Sequence, residues 1–173
     1  TDLKNDIRDI NFSLCETNIE IKNADFDKLE VNEIDYFINN KDLYFRPVKC
    51  LNDEGLIYLN LSYSNLFKVI TIRETSDIPV IIDIESFGEG MSFPRILINV
   101  LPGVKADIQI FNRGGLGFIN QLIELNIEKN SSIHFYRFNE SSSIHSETFL
   151  SYLGYYSNLS FTNLSLPKNK SRL

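Results

Sequence analysis

The chain has few of the residues on which metal, redox and membrane chemistry depend. Its 173 residues include two cysteines, two histidines, one methionine and no tryptophan. No apolar run is long enough to cross a bilayer, and no leader of basic and then apolar residues opens the chain. Two distant cysteines are typical of free thiols in a reducing compartment. We therefore expect a cytoplasmic protein that binds no membrane.

Basic charge is scarce as well. The chain has 17 basic and 23 acidic residues, a net charge of −6 and a pI near 4.9. Nucleic acids and anionic lipid surfaces attract basic patches, and the sequence has no basic run interleaved with aromatic residues. This charge pattern argues against nucleic acid as a partner.

Pairs of apolar residues recur along the chain at a nearly constant step. In one series the step is 25, 26, 25 and 26 residues, and in a second it is 26, 27 and 26. The partners of a pair are two positions apart, which places them on one face of a strand. The first series is Ile57/Leu59, Ile82/Ile84, Ile108/Ile110, Ile133/Phe135 and Leu159/Phe161, and the second is Ile70/Ile72, Ile96/Ile98, Ile123/Leu125 and Phe149/Ser151.

A constant step of this size predicts a solenoid in which stacked coils bury ladders of like residues. Two strands in each coil of about 25–26 residues make an all-β fold, a parallel β-helix. Strand spacing alone also allows an antiparallel sandwich. Residues 1–50 are expected to form a segment of mixed structure, with a strand at 19–21 and an amphipathic helix within 25–40. Residues 51–173 form the β-helix core, beginning with a strand at 56–61.

Neither end of the predicted solenoid has an obvious polar cap. The chain begins at Thr1 and not at a methionine, and its last coil runs straight into Leu173. An uncapped coil exposes strand edges and apolar side chains. We therefore expect the chain to be part of something larger, with a core incomplete at its C-terminal end. A homodimer is one assembly that would cover such an end.

The histidines and cysteines lack the spacing of a metal or redox site. His134 lies between two apolar strand residues and is predicted to point outward, and His145 lies in a serine-rich stretch. Both histidines are expected at the surface or at an interface. Cys50 is expected to be a small buried apolar residue, and Cys15 has no ligand set beside it.

Three other stretches contain chemically suggestive residue types. The glycine-rich residues 113–117 lack the Lys-Ser/Thr of a phosphate loop and predict a turn between coils. Residues 141–147 contain the residue types of a hydrolase triad, namely serine, histidine and glutamate. Neighbouring residues on a strand point to opposite faces, however, and the three side chains of a triad must meet at one point. Asp83 and Glu85, with Asp77 and Glu89 nearby, could form a lyase-like calcium site, although a solvated outer face is the simpler interpretation. We predict no catalytic and no metal-binding residue.

Seven segments have a characteristic order and spacing, namely 51–58, 77–82, 92–100, 102–108, 120–128, 129–137 and 171–173. They resemble the SufB/SufD family, and SufD most closely. The similarity covers residues 51–173, while the first fifty residues match poorly. We expect the family's remaining coils and its C-terminal helical region to be missing from this chain.

The resemblance implies a right-handed parallel β-helix that acts as a non-catalytic scaffold in the SUF complex for iron–sulfur cluster assembly. The implied partners are a SufB-like protein and a SufC-like ABC-type ATPase. The ATPase would bind through the missing helical region, so this chain is expected not to bind it in the family manner. No bound cofactor is assigned, and iron or a cluster would be present only transiently through the complex. The alternative is a β-helix carbohydrate-active enzyme or adhesin, for which Asp83 and Glu85 are the only candidate carboxylate pair.

Overall fold

The computed structural model describes residues 13–22, 24–33, 55–64 and 66–166. These segments form eleven strands and one helix. That helix is not long and apolar enough to cross a membrane. The elements are β1 (Glu16–Lys22), β2 (Leu29–Asn32), α1 (Gly55–Tyr63), β3 (Leu66–Ile72), β4 (Val80–Phe87), β5 (Met91–Ser92), β6 (Pro94–Val100), β7 (Lys105–Gly114), β8 (Phe118–Ile127), β9 (Ser132–Asn139), β10 (Ile144–Leu153) and β11 (Asn158–Ser165).

From β3 onward the chain passes back and forth between two sheets. Sheet A has the order β2-β3-β6-β8-β10 and sheet B the order β1-β4-β7-β9-β11, while the short β5 pairs with β8. Each coil contributes one long strand to each sheet, and successive coils pair in parallel. Four coils result, namely β3–β4, β6–β7, β8–β9 and β10–β11. The predicted all-β parallel β-helix is confirmed.

The register of the coils differs from the predicted constant step. Paired residues are 28 positions apart between the first two coils, then 27, then 26, in both sheets. Ile82 therefore pairs with Ile110 and not with Ile108, whose partner is Val80. A shift of two residues along a strand leaves the same side chains facing inward. The apolar pattern thus predicted the inner face correctly. It gave the wrong next neighbour in the ladder for Ile70, Ile82 and Ile108. It gave the right one for Ile96, Ile123 and Ile133.

The predicted strand at 56–61 is wrong, because these residues lie in α1. Ile57, placed in the first apolar pair, is instead a buried residue of this helix. The helix lies on the outer face of sheet A, where Asn60 Nδ2 donates to the carbonyl oxygens of Pro94 (3.1 Å) and Asn120 (2.7 Å). A short segment rich in apolar residues can form either a strand or a helix, and its periodicity does not distinguish the two. Here the segment forms a helix that packs against the sheet.

The N-terminal end of the solenoid is covered, contrary to the expectation that neither end is capped. β1 pairs antiparallel with β4, and β2 pairs antiparallel with β3. Ile19 of β1 belongs to the main apolar core, and the predicted strand at 19–21 is confirmed. The helix predicted within 25–40 is wrong as far as residue 33, where a turn leads into β2. Its remainder, with Cys50, lies outside the described residues.

Glycine allows the turns between the sheets to stack closely. The turn at residues 115–117 lies on the turn at 88–90, with Leu116 N donating to Gly88 O (2.9 Å) and Phe118 N donating to Gly90 O (3.1 Å). A Cβ atom at Gly117 would collide with the carbonyl oxygen of Gly90. The absence of a side chain at position 117 therefore sets the spacing of these two coils.

We expect Gly117→Ala to lower the free energy of unfolding by about 1–3 kcal/mol, because the added methyl group must push two stacked backbones apart. Gly55→Ala is the matched control, since nothing lies within 4 Å of a Cβ atom there and alanine suits a helix. Urea unfolding of both variants measures the difference. Equal stabilities would contradict the role of the close turn.

Candidate functional site

The interior of the β-helix has a polar side next to the turns that lead from sheet B to sheet A. Strands of sheet B end there and strands of sheet A begin there, and their inward residues change from aliphatic to polar. We call this set of side chains the polar corner. It consists of Asn112, Gln121, Arg137, Asn139, His145 and Glu147.

An ion pair crosses the polar corner from one sheet to the other. The Arg137 guanidinium on β9 donates to Glu147 Oε1 on β10, and the Glu147 side chain is almost fully buried. Burial raises the pKa of Glu147, and the neighbouring Arg137 opposes that rise. Because a buried charge is costly without its partner, this contact ties the two sheets together.

His145 bridges the sheets through two amide side chains. Its Nδ1 lies 3.1 Å from Asn139 Nδ2, and its Nε2 lies 3.1 Å from Gln121 Oε1. An amide nitrogen can only donate, so Nδ1 accepts and the proton resides on Nε2. Burial, assisted by the positive charge of Arg137, lowers the pKa of His145 to about 4. The histidine is therefore neutral near pH 7.

His145 is half-buried and faces the interior, so the expectation of a surface position is wrong, and the expectation of an interface stays a prediction. The parallel register of β10 places it beside Ile119 of β8, on the inward face. The surrounding serines made the stretch resemble a loop. Phe149 packs against the apolar core. Counting back from it in steps of two would have placed both His145 and Glu147 on the inward face.

The hydrolase triad does not form. Both ring nitrogens of His145 are bonded to amides and not to a serine. Ser141 and Ser143 share a hydrogen bond, and Ser141 Oγ also donates to Gly114 O at 2.6 Å. These serines stabilise the turn before β10.

Asp83 acts as a clamp between strands. Its Oδ2 lies 2.9 Å from Lys22 Nζ on β1 and 3.2 Å from Arg113 NH1 on β7. Two cations thus already bind the carboxylate oxygen that a calcium ion would need, and Glu85 extends into solvent. The described residues contain no group of three or more His, Cys, Asp or Glu side chains that could hold a metal ion.

A second buried ion pair, which sequence reasoning missed, lies on the outer face of sheet A where α1 docks. Arg95 donates to Glu124 Oε2 from Nε (2.9 Å) and NH2 (2.7 Å), and its guanidinium lies 4.6 Å from the centre of the Phe67 ring. Burial raises the pKa of Glu124, and Arg95 opposes that rise. No local pattern marks such a pair, because the two residues come from different coils.

The other sequence candidates lie apart from one another. His134 is exposed on the outer face as predicted, with Nδ1 3.3 Å from Asp107 Oδ1. Cys15 is a free, half-buried thiol before β1. Residues 113–117 form the end of β7 and the turn to β8, as predicted.

An open pocket of about 280 Å³ lies beside these turns. Glu140 is its only carboxylate, and Glu140 Oε2 lies 3.9 Å from Arg113 Nε. On the outer face of sheet B, Phe111 and Phe138 stack with their ring centres 4.6 Å apart. The pocket is lined by Gly88, Gly114, Gly115, Leu116, Glu140 and Ser142.

Among the described residues, the last coil leaves the apolar core open at one end. Phe161 stacks on Phe135 at 5.4 Å and contacts Phe149 at 5.0 Å, yet its other side is exposed. Between residues 66 and 166, no strand pairs with the outer edge of β10 or β11. We call this surface the open end. Its exposed apolar residues are Leu153, Tyr155, Tyr156, Phe161, Leu164 and Leu166.

Comparisons with protein-family models, with curated proteins and with solved structures found no match to this chain.

We expect the free energy of unfolding to fall as the pH drops from about 6.5 to about 4. In the unfolded chain His145 becomes protonated at its ordinary pKa of 6.5, whereas in the folded chain it stays neutral down to about pH 4. The loss reaches up to about 3 kcal/mol. Glutamine at this position can make both hydrogen bonds without titrating. We therefore expect His145→Gln to have a flatter stability profile across this range, measured by urea unfolding.

The matched control for that experiment is His134→Gln, which removes the exposed histidine instead. Glu147 also titrates in acid, so the difference between wild type and His145→Gln is the informative quantity. Identical profiles for these two proteins would contradict a buried neutral His145.

Proposed function

We propose that this chain is a non-catalytic, SufD-like scaffold subunit of the SUF iron–sulfur cluster assembly complex. The observation that carries the proposal is the asymmetry of the two ends. β1 and β2 cover the first coil, whereas the described last coil exposes unpaired strand edges and apolar side chains. An edge of this kind is a template for pairing with another chain. The open end is the surface on which a SufB-like protein would pair.

The ion pairs among the described residues support a structural role for this chain. Arg137–Glu147 crosses the interior and Arg95–Glu124 joins two coils of sheet A. Asp83, bound by Lys22 and Arg113, joins the capping strand to two coils. These charges hold strands in place and do not converge on a common cleft.

The chemistry of the complex then belongs to its other subunits. We assign this chain no resident cofactor, and iron or a nascent cluster would be cargo held transiently by the complex. ATP hydrolysis would come from a SufC-like ATPase. The proposed location is the cytoplasm.

The first test is purification of the full-length native protein from its source, with mass spectrometry of the proteins that co-elute. We expect a SufB-like protein and an ABC-type ATPase. Recovery of neither would contradict the proposed complex and leave only the β-helix established.

The second test places charge on the open end. We expect the double variant Leu153→Lys/Phe161→Lys to recover at least about tenfold less SufB-like protein, because a lysine on each strand would have to be desolvated at the contact. The matched control is Leu56→Lys/Tyr58→Lys on α1. The exposures are similar, 50% and 44% at the end against 45% and 53% on the helix.

Circular dichroism melting of both double variants checks that the fold is kept. Equal partner recovery from the two would contradict pairing at the open end. If the end variant alone unfolds, the loss of Phe161 from its stack with Phe135 and Phe149 accounts for it, and the single variant Leu153→Lys then decides the question.

A further inference from the structure

Five buried polar atoms in the polar corner have no protein partner. Asn112 is 2% exposed and Gln121 is fully buried, so neither side chain can be satisfied by bulk solvent. Native proteins rarely leave such atoms without a hydrogen bond. The atoms are Asn112 Nδ2 and Oδ1, Gln121 Nε2, Arg137 Nε and Glu147 Oε2.

The side chains that carry these atoms form one connected set. Asn112 pairs in register with Asn139, which is bonded through His145 to Gln121. Gln121 pairs in register with Glu147, which is bonded to Arg137. These five atoms, half of the ten such atoms in the described residues, therefore belong to neighbours around a single internal region.

The numbers of hydrogen-bond donors and acceptors among these five atoms indicate which kind of ligand fits them. Three of them are N–H donors and two are oxygen acceptors. An anion would leave both acceptors unsatisfied beside the Glu147 carboxylate, and a cation would face Arg137 and three N–H groups. Water donates and accepts, and two waters bonded to each other keep about three donor and three acceptor positions between them.

We propose that the polar corner is a hydration site that holds about two long-lived water molecules between coils two, three and four. The waters bond to Asn112, Gln121, Arg137 and Glu147 and complete the network that the protein atoms leave open. This inference goes beyond the proposed function and does not depend on it. The site explains how a β-helix keeps amide and charged residues inside next to its aliphatic ladders.

The first experiment uses the unaltered protein. Water-selective NMR should show nuclear Overhauser contacts from water to the side-chain amide protons of Asn112 and Gln121. The contacts should have opposite signs in the laboratory and rotating frames, as long-lived water gives. Assigned amide protons without any such contact would overturn the proposal.

The second experiment uses Asn112→Leu, because Asn112 has no side-chain partner in the protein. If water is bound, the leucine removes its ligand and strands the remaining polar atoms, so the melting temperature should fall. Oxygen-17 relaxation dispersion should then show about two fewer long-lived waters. If the site is dry, leucine replaces an unsatisfied amide, and a higher melting temperature with unchanged dispersion would overturn the proposal.

The matched control is Ile98→Val in the aliphatic part of the same coil, which removes one methyl group and no polar atom. It should leave the number of long-lived waters unchanged. If Asn112→Leu does not fold, the NMR contacts of the unaltered protein decide the question alone.

Discussion

Parallel pairing of successive coils is the constraint on which the rest of this structure depends. Each inward residue stacks on a residue of the next coil about 4.8 Å away. The aliphatic ladders bury apolar side chains in this way. The ladders of sheet B then change to polar side chains, since Asn112 follows Ile84 and Arg137 follows Ile110 in register. A polar group that stacks on isoleucine must find its partner across the interior, as Arg137 does with Glu147.

This constraint also explains what could be predicted from the sequence. Alternation with a period of two identified the inward residues and hence the fold. It identified only some of the ladder neighbours, because a shift of two residues keeps the same face inward, and coils of 28, 27 and 26 residues lie close to the apparent step. The same periodicity holds for His145 and Glu147, but their polar character concealed it.

Contacts between segments that are distant in the sequence could not be predicted from local sequence patterns. Whether residues 55–63 form a strand or a helix depends on Asn60 reaching backbone carbonyls of two coils of sheet A. The Arg95–Glu124 pair joins residues 29 positions apart in sequence, and no spacing rule marks it. Asp83 was a candidate ligand from its alternation with Glu85, and its two cationic partners come from β1 and β7. The partners of these side chains are set by how the coils and the helix align in three dimensions, which no local pattern shows.

The two ladders that carry the polar corner reach the open end. Asn163 follows Arg137 and Ser165 follows Asn139 in the register of β11, and both are exposed. Phe161, one step inside them, continues the aromatic part of the core. The exposed edge of β11 therefore carries two polar side chains, Asn163 and Ser165, beside the apolar Phe161. An element that buries this edge has to give the polar side chains hydrogen-bond partners and cover the aromatic ring, because burial of an unpaired amide is costly.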